Sequence, residues 1–228
     1  MKINGVGSVP RPILLSGLFS FLAISGWAAS FGVNPIADAF VTTGPSGNLS
    51  SSNYGGAGAL SIAAPGLSQG EFQSVLKFDL SAAKASFDGQ FGIGLWSIQS
   101  VVLQLTAIPP NNAIFNASSA GQFSISWMQN DSWTEGSGTP MAPASAGITF
   151  ATLNSFLSGT DEALGTFSFG GGTNGNASYI LNLTSSFTAG TVAGGNVSLR
   201  MSAADTSVSY LFDSRSFGTV SARPLLTI

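Results

Sequence analysis

The chain has 228 residues, of which only 7% are charged, and it contains 29 glycines but no cysteine and no histidine. Without histidine and cysteine there is no Ser-His or Cys-His nucleophile, and the strongest protein ligands for zinc, copper and haem iron are missing. The formal net charge of −3 argues against a nucleic-acid partner, because nucleic-acid binding requires clustered lysine and arginine side chains. The length suits one domain with a core that needs no disulfide bonds.

The first 28 residues have the pattern of a secretory signal peptide. Lys2 and Arg11 precede an apolar run of twelve residues, Ile13 to Ile24. That length is typical of a signal-peptide core and is too short for a comfortable membrane span. Gly26-Trp27-Ala28 then predicts cleavage after Ala28, the alternative being an uncleaved N-terminal anchor. Cleavage would give a secreted protein, extracellular or on the cell surface, with no stable membrane span and with residues 29–35 as a short linker.

From residue 36 to residue 228 apolar and polar residues alternate, which is typical of antiparallel strands with one buried and one solvated face. Helical signals are scarce, limited to one turn at 81–84 and about two turns at 149–157. The pattern predicts an all-β domain, a two-sheet antiparallel β-sandwich or jelly roll of about ten strands. The predicted strands are 36–43, 59–64, 71–80, 97–107, 122–128, 163–169, 179–184, 197–202, 207–213 and 223–228.

The phase of the alternation also predicts which side chains form the core. In the strand 71–80, Phe72, Leu76, Phe78 and Leu80 fall on one face, and polar side chains fall on the other. Tyr179 and Tyr210 take the apolar phase of their strands and are expected in the core as well. The same reasoning gives the full set of expected core residues: Phe72, Leu76, Phe78, Leu103, Phe123, Trp127, Leu181, Leu199 and Phe212.

Several short segments occur in an order that is similar to a known family. The segments are Ala37-Asp38-Ala39-Phe40-Val41, Ser52-Asn53-Tyr54-Gly55, Leu76-Lys77-Phe78-Asp79-Leu80-Ser81, the strand 98–106, Asp131-Ser132-Trp133-Thr134-Glu135-Gly136, Phe212-Asp213-Ser214-Arg215 and Arg223-Pro224-Leu225-Leu226. Taken together they resemble the DNRLRE-type domains, secreted β-sandwiches related to carbohydrate-binding modules. The resemblance implies a jelly-roll-like module that binds sugar or serves surface architecture, without catalysis of its own. One departure is that the family often has an arginine in the strand that holds Lys77, where this chain has Gln73-Ser74-Val75.

A sugar site on such a domain needs an exposed aromatic ring with planar polar side chains around it. Tyr54, in a loop rich in serine, asparagine and glycine, and Trp133, in a turn-rich stretch, are the expected exposed rings. Asn53, Asp131 and Glu135 flank them and could accept hydrogen bonds from sugar hydroxyls. These residues predict a shallow polar site for a neutral or cationic polysaccharide or cell-surface glycan.

The same acidic residues allow a less favoured alternative, a polysaccharide hydrolase or lyase that works with carboxylates. Asp131 and Glu135 lie four residues apart around Trp133, and glycosidase carboxylates sit about 5–9.5 Å apart. A loop in which these acids cap turns is the simpler interpretation, because one loop seldom supplies both groups. We therefore expect no enzymatic activity and no required cofactor.

Asp38, Asp79, Asp205 and Asp213 lie on strands or at their ends, and oxygen ligands of this kind suit Ca²⁺. The chain has no D-x-D-x-D loop, so a structural calcium ion is a weak expectation. The best candidates for such a site are Asp38, Asp79 and Asp213. Pairing of Asp79 with a nearby lysine or arginine is the simpler interpretation.

The low charge supports a second function class, an extracellular structural protein that assembles with copies of itself. Repulsion between copies is weak, the solvated faces are ladders of serine and threonine, and edge strands of a jelly roll can pair with other chains. A free terminal strand at 36–43 would favour this self-association. Six Asn-x-Ser/Thr sites, at Asn48, Asn116, Asn130, Asn176, Asn182 and Asn196, indicate surface positions only.

Overall fold

The computed structural model describes residues 28–108, 114–115, 120–170 and 175–228. Almost all of the predicted signal peptide and the Asn116 site lie outside the described residues. In this part of the chain we find eleven strands, three short α-helices and a 3-10 turn at Val220–Ala222. In chain order the elements are β1 (Gly32–Val33), β2 (Ala37–Thr42), β3 (Ala59–Ala63), β4 (Phe72–Asp79), α1 (Ser81–Phe91), β5 (Val102–Ala107), β6 (Gly121–Met128), α2 (Phe150–Leu153), β7 (Glu162–Phe169), β8 (Gly175–Ile180), α3 (Ser185–Ala193), β9 (Asn196–Ala203), β10 (Ser209–Asp213) and β11 (Leu225–Thr227).

All the strand pairs are antiparallel and form one hydrogen-bonded network, which confirms the prediction of an antiparallel all-β fold. The order is β1-β11-β5-β10-β3-β4-β9-β6-β7, with β2 on β4 and β8 on β5. Its two halves are joined between β3 and β4 by the pair Ala63↔Phe72. Because β1 pairs with β11, the predicted linker 29–35 contains a short strand of the domain.

The network folds over into two layers, as a sandwich requires. The Phe123 ring of β6 lies 5.1 Å from the Tyr179 ring of β8 and 6.1 Å from the Phe212 ring of β10. Four strand spacings separate β6 from β10 in the network, about 19 Å in a flat sheet. Contact between these rings therefore requires β2, β4, β9, β6 and β7 to face the layer formed by the remaining strands.

The main core lies between the two layers, and the alternation predicted it well. Tyr179, Tyr210 and most of the expected core side chains are buried there. Phe72 and Trp127 differ from the expectation because each remains partly exposed. Trp127 packs against Phe187 of α3, with ring centroids 5.8 Å apart. The confirmed core residues are Leu76, Phe78, Leu103, Phe123, Leu181, Leu199 and Phe212.

A second, smaller core covers the outer face of β2 and β4. Residues 129–157, here named the cover segment, contribute Trp133, Ile148 and Leu153 to this core. These side chains pack against Val75 of β4 and against two side chains of β2. The expectation of a solvated face for strand 71–80 is therefore wrong over most of β4, where even Gln73 is buried.

The helices differ from the sequence prediction: α1 is longer than the one turn predicted at 81–84, α2 is shorter than the two turns predicted at 149–157, and α3 was not predicted. At the start of α1, Asp79 Oδ1 accepts a hydrogen bond from Ser81 N (2.9 Å). The helix has eleven residues and is capped at its C-terminus by Gly92, whose φ is 94°. The predicted strand 179–184 ends at Ile180 because Thr184 caps α3, its side chain accepting from Phe187 N. None of the helices in the described ranges is long and apolar enough to cross a membrane.

Candidate functional site

The two aromatic residues expected at the protein surface are buried instead. Tyr54 is 4% exposed and Trp133 is 1% exposed, so the expectation of an open stacking surface is wrong. Tyr54 forms a bridge with Phe40 of β2, and the two rings stack at 4.7 Å with an interplanar angle of 11°. Tyr54 also forms part of the wall of a cavity of about 320 Å³, beside Phe72 and Phe115. The Tyr54 ring is therefore packed inside the protein and has no exposed face on which a polysaccharide could stack.

Trp133 anchors the cover segment to the outer face of the sheet. Its indole Nε1 donates to Ser198 Oγ of β9 (2.9 Å), and its carbonyl oxygen accepts from Lys77 Nζ of β4 (2.6 Å). The same ammonium group lies 4.4 Å from the centroid of the Trp133 ring, a cation–π distance. Burial lowers the pKa of Lys77, while the charge of Asp131 opposes that shift.

Asn53 is fully buried and ties the predicted loop to the cover segment. Its side-chain amide donates to the carbonyl oxygens of Glu135 and Ile148, both at 2.7 Å. Its Oδ1 accepts from the backbone N–H of Gly55 (3.1 Å) and of Gly138 (3.2 Å). Both amide hydrogens and both acceptor positions are therefore used within the protein. No hydrogen-bonding capacity of Asn53 remains for a sugar.

Glu135 belongs to a partly buried polar cluster with Asp38 and Arg215. Its Oε1 accepts from Asp38 N (3.0 Å) and Arg215 Nε (2.5 Å), and its Oε2 pairs with Arg215 Nη2. Arg215 N in turn donates to Asp38 Oδ2 (2.7 Å). Burial raises the pKa of Asp38 to about 7, and its side chain is only 1% exposed. The cluster joins β2, the cover segment and the chain after β10.

Asp131 is held away from this cluster, beside Lys77 and Ser198. Burial raises the pKa of Asp131, and the Ser198 hydrogen bonds and the Lys77 charge counteract the shift. Glu135 is occupied by Arg215, as described above. Asp131 and Glu135 thus have different partners, and each serves to fix the cover segment. The five predicted site residues do lie together in one region, but there they attach the cover segment to the sheet.

The three calcium candidates differ in their surroundings. Asp38 accepts from Arg215, and Asp79 is exposed at the start of α1. Asp213 is buried, its Oδ1 has no partner, and burial raises its pKa to about 6. Asp205 holds the turn that contains Ser207 (2.9 Å to the Ser207 N–H). Among the described residues no three acidic, histidine or cysteine side chains come close enough to hold a metal ion.

A larger ligand-sized pocket than the one beside Tyr54 lies next to α1. This feature, here named the Trp96 groove, has a volume of about 500 Å³, within the range of about 300–1,000 Å³ of small-ligand sites. Its wall combines aromatic and aliphatic side chains with hydroxyl and amide groups. The lining residues are Ala28–Ser30, Phe87, Phe91, Leu95–Ser100 and Thr227–Ile228.

Trp96 is half-buried and held in a fixed orientation. Its Nε1 donates to Asp88 Oδ1 (2.8 Å), and its ring packs on Phe87 of α1 with centroids 5.1 Å apart. Asp88 also pairs with Lys84 one turn earlier, and hydrogen bonds from Lys84 and Trp96 lower the pKa of Asp88. Leu95, which precedes Trp96 in the sequence, is 79% exposed. A fixed aromatic ring in an open groove is what the predicted site lacked.

Sequence reasoning missed this groove because it predicted a single turn where α1 has eleven residues. With the full helix, Phe87 and Phe91 lie one turn apart on the same side, and Gly92 ends the helix so that Trp96 can fold back over Phe87. The four-residue spacing of these two phenylalanines was the feature of the sequence from which the longer helix could have been predicted.

No protein-family model matches the chain, and no curated protein matches it. The resemblance to DNRLRE-type domains therefore stays a prediction that depends on the segments quoted above.

Proposed function

We propose that the protein is a secreted, non-catalytic carbohydrate-binding or cell-surface module, and that its sugar site is the Trp96 groove. The observation that supports this proposal is the composition of the groove. The oriented Trp96 ring lies there beside Phe87, Phe91 and a rim of hydroxyl and amide groups. Sugar rings present C–H groups to aromatic faces and hydroxyls to polar side chains, so this combination suits them.

The charges favour a neutral glycan. None of the side chains that line the groove is charged, and the whole chain has a formal net charge of −3. An acidic polysaccharide would need a local cluster of lysine or arginine to overcome that charge. Ser97, Gln99 and Ser100 can instead donate to and accept from neutral hydroxyl groups.

The positions of the acidic residues support binding without catalysis. Glu135 and Asp38 are occupied by Arg215 inside the protein, and Asp131 lies against Lys77 and Ser198. A hydrolase or lyase would need a carboxylate pair that reaches the substrate. Asp88, behind the groove, is bonded to Lys84 and to the Trp96 indole and keeps the ring in place.

The test is retention on insoluble neutral polysaccharides, together with fluorescence titration with soluble oligosaccharides. Binding through one shallow groove should give a Kd between about 1 mM and 1 μM, or roughly −4 to −8 kcal/mol. Trp96→Ala should abolish retention, and Leu95→Ser should weaken it with no loss of folding, because Leu95 is largely exposed. Trp127→Phe is the matched control, since that tryptophan lies against α3, outside the groove lining.

Failure of the wild-type protein to bind any neutral glycan at millimolar concentration would overturn the proposal. Unchanged binding by a folded Trp96→Ala variant would show that sugar binds elsewhere on the molecule.

Secretion has its own test. The signal-peptide pattern predicts that the exported protein begins at Ala29, so N-terminal sequencing of material recovered from the medium should read Ala-Ser-Phe-Gly. Recovery of exported protein that still begins with Met1 would contradict cleavage and favour the uncleaved anchor.

A further inference from the structure

β8 is an edge strand with an open backbone. It pairs with β5 over six consecutive residue pairs without a register shift, and with no other strand of the described chain. Asn176, Ser178 and Ile180 are exposed, Ile180 by 68%. The strand contains no charged residue and no proline.

The direction in which the backbone N–H and C=O groups of β8 point follows from Leu181, the residue after the strand. Leu181 N donates to Val101 O (2.9 Å), so Leu181 points its backbone groups toward β5. Along an antiparallel strand these directions alternate from one residue to the next. The N–H and C=O groups of Asn176, Ser178 and Ile180 therefore point away from β5, toward the open edge. Asn182 has the same phase, and it uses this edge by donating to Leu164 O of β7 (2.8 Å).

The edges formed by β2 and β7 are protected, and the edge strand β1 has only two residues. On β2, Tyr54 forms a bridge with Phe40, and Asp38 N is bonded to Glu135. Strand 36–43 therefore does not offer the free edge that would have favoured self-association. β7 has a register shift against β6 and contacts Asn182 through Leu164. Bulges, covered edges and charges are the usual means by which sheets avoid pairing with other chains, and within the described ranges of the chain β8 shows none of them.

We propose that β8 of one copy pairs antiparallel with β8 of a second copy about a two-fold axis at Ser178. In this arrangement Ser178 faces its own equivalent, and Asn176 faces Ile180 of the other copy. The outward backbone groups of these three residues would form about six hydrogen bonds, and the layer that contains β5 would continue into the second molecule.

A second copy fits this edge better than a charged peptide. The strand sequence Gly-Asn-Ala-Ser-Tyr-Ile offers no charge with which to select a partner, and its outward groups are complementary to themselves under two-fold symmetry. The pairing would bring Ile180 beside Asn176 and Ser178 of the partner strand and shield much of its exposed surface. After cleavage at Ala28 five lysine and arginine residues remain against ten acidic residues, and this net charge of −5 over 200 residues gives little repulsion between copies.

The test is light scattering after size exclusion over a concentration series, on protein made in a host that does not glycosylate Asn176. The wild type should show the mass of two chains when concentrated and of one chain when diluted. Ser178→Lys should be monomeric throughout, because two lysines would meet at the axis. Ser168→Lys, an equal change at an exposed position of β7, should dimerise like the wild type.

Ser178→Pro provides a second variant that tests the backbone itself. Because the Ser178 N–H points away from β5, proline there removes an intermolecular hydrogen bond and leaves the β5 ladder intact. This variant should be a folded monomer by circular dichroism and light scattering. A wild type that is monomeric at every concentration, a dimeric Ser178→Pro, or equal dissociation by both lysine variants would each overturn the proposal. Glycan binding at the Trp96 groove is measured separately and does not depend on the outcome.

Discussion

The main core between the two layers and the smaller core under the cover segment are held together differently. The main core consists of aliphatic and aromatic side chains such as Phe78 and Phe123. The cover segment adds buried polar groups to its apolar contacts, including the amide of Asn53, the ammonium of Lys77 and the Asp38–Glu135–Arg215 cluster. The stability gained by burying apolar side chains depends little on their orientation. A hydrogen bond or ion pair requires a defined geometry, so it can be lost by a single substitution or, where a group is ionisable, by a change of pH. The two regions should therefore respond differently to mutation and to pH.

The largest loss of stability is expected in the main core. Phe123→Ala should lower the free energy of unfolding by about 3–5 kcal/mol, because it removes a fully buried ring that contacts Tyr179 and Phe212. Chemical denaturation with global unfolding as the readout is the measurement. Phe123→Leu is the matched control and should lose much less. A loss below about 1 kcal/mol, the usual range for surface positions, would show that the layers do not pack as described.

A smaller and more local loss is expected at the attachment of the cover segment. Asn53→Ala leaves the carbonyl oxygens of Glu135 and Ile148 without their donor, which should cost about 2–3 kcal/mol. Hydrogen exchange should accelerate first in residues 134–148, while the β6 and β9 amides stay protected. Asn53→Asp places a carboxylate oxygen against these two carbonyl oxygens in a fully buried site, and should lose at least as much stability as Asn53→Ala at neutral pH. Uniform acceleration across both regions would show that the cover segment is not a separate unit.

The pH dependence should come from the polar cluster. Burial raises the pKa of Asp38 from 3.8 to about 7, so the folded state binds a proton that the unfolded state has lost at intermediate pH. This group therefore contributes stability at low pH that is lost as the pH rises toward 7, by at most about 1.4 kcal/mol per pH unit. Asp38→Asn mimics the protonated form, so its stability relative to the wild type should be greater at about pH 7 than at about pH 5.

Paired denaturation curves of the wild type and Asp38→Asn across this pH range isolate the Asp38 contribution, because other shifted carboxylates are common to both proteins. A constant difference between the two proteins would contradict a raised pKa for the buried Asp38 carboxyl.

The smallest effect is expected at Ser198. Ser198→Ala removes the acceptor of the Trp133 indole N–H and should cost about 1 kcal/mol. Trp133 fluorescence should shift as the cover segment loosens, and Ser202→Ala on the same strand is the control. An unchanged stability together with an unchanged spectrum would mean that the apolar contacts of Trp133 hold the segment alone.

The sequence predicted the main core because alternation along a strand tells which side chains face the opposite layer. Phe78, Phe123 and Leu199 were identified in this way and are fully buried. Alternation does not tell whether the other face is later covered by a loop. Lys77 has the pattern of a solvated residue, and its burial depends on Trp133, which is 56 positions away in sequence.

The candidate site was harder to predict for the same reason. Tyr54 and Trp133 stand in stretches of turn-forming residues, which are usually at the surface. In this molecule these stretches fold back on the sheet, because glycines allow a close approach. A Cβ on Gly138 would lie 1.8 Å from Asn53 O, and one on Gly55 would lie 2.2 Å from Glu135 O. A glycine-rich segment here indicates tight packing as much as an open loop.

The two ends of the described domain meet at the Trp96 groove. Phe31 and Ile228 exchange both backbone hydrogen bonds, at 2.9 and 3.0 Å, and the end residues that remain after cleavage at Ala28, among them Ala29, Ser30 and Ile228, line the groove. An affinity tag or fusion partner at either end would therefore begin at the mouth of the groove and could obstruct a ligand there. The same proximity suits circular permutation: a short linker could join these ends, and new ends could be opened near the exposed Gly159, far from the groove in sequence. Such a permuted chain would carry a tag or fusion partner near Gly159, with only the short linker beside the groove.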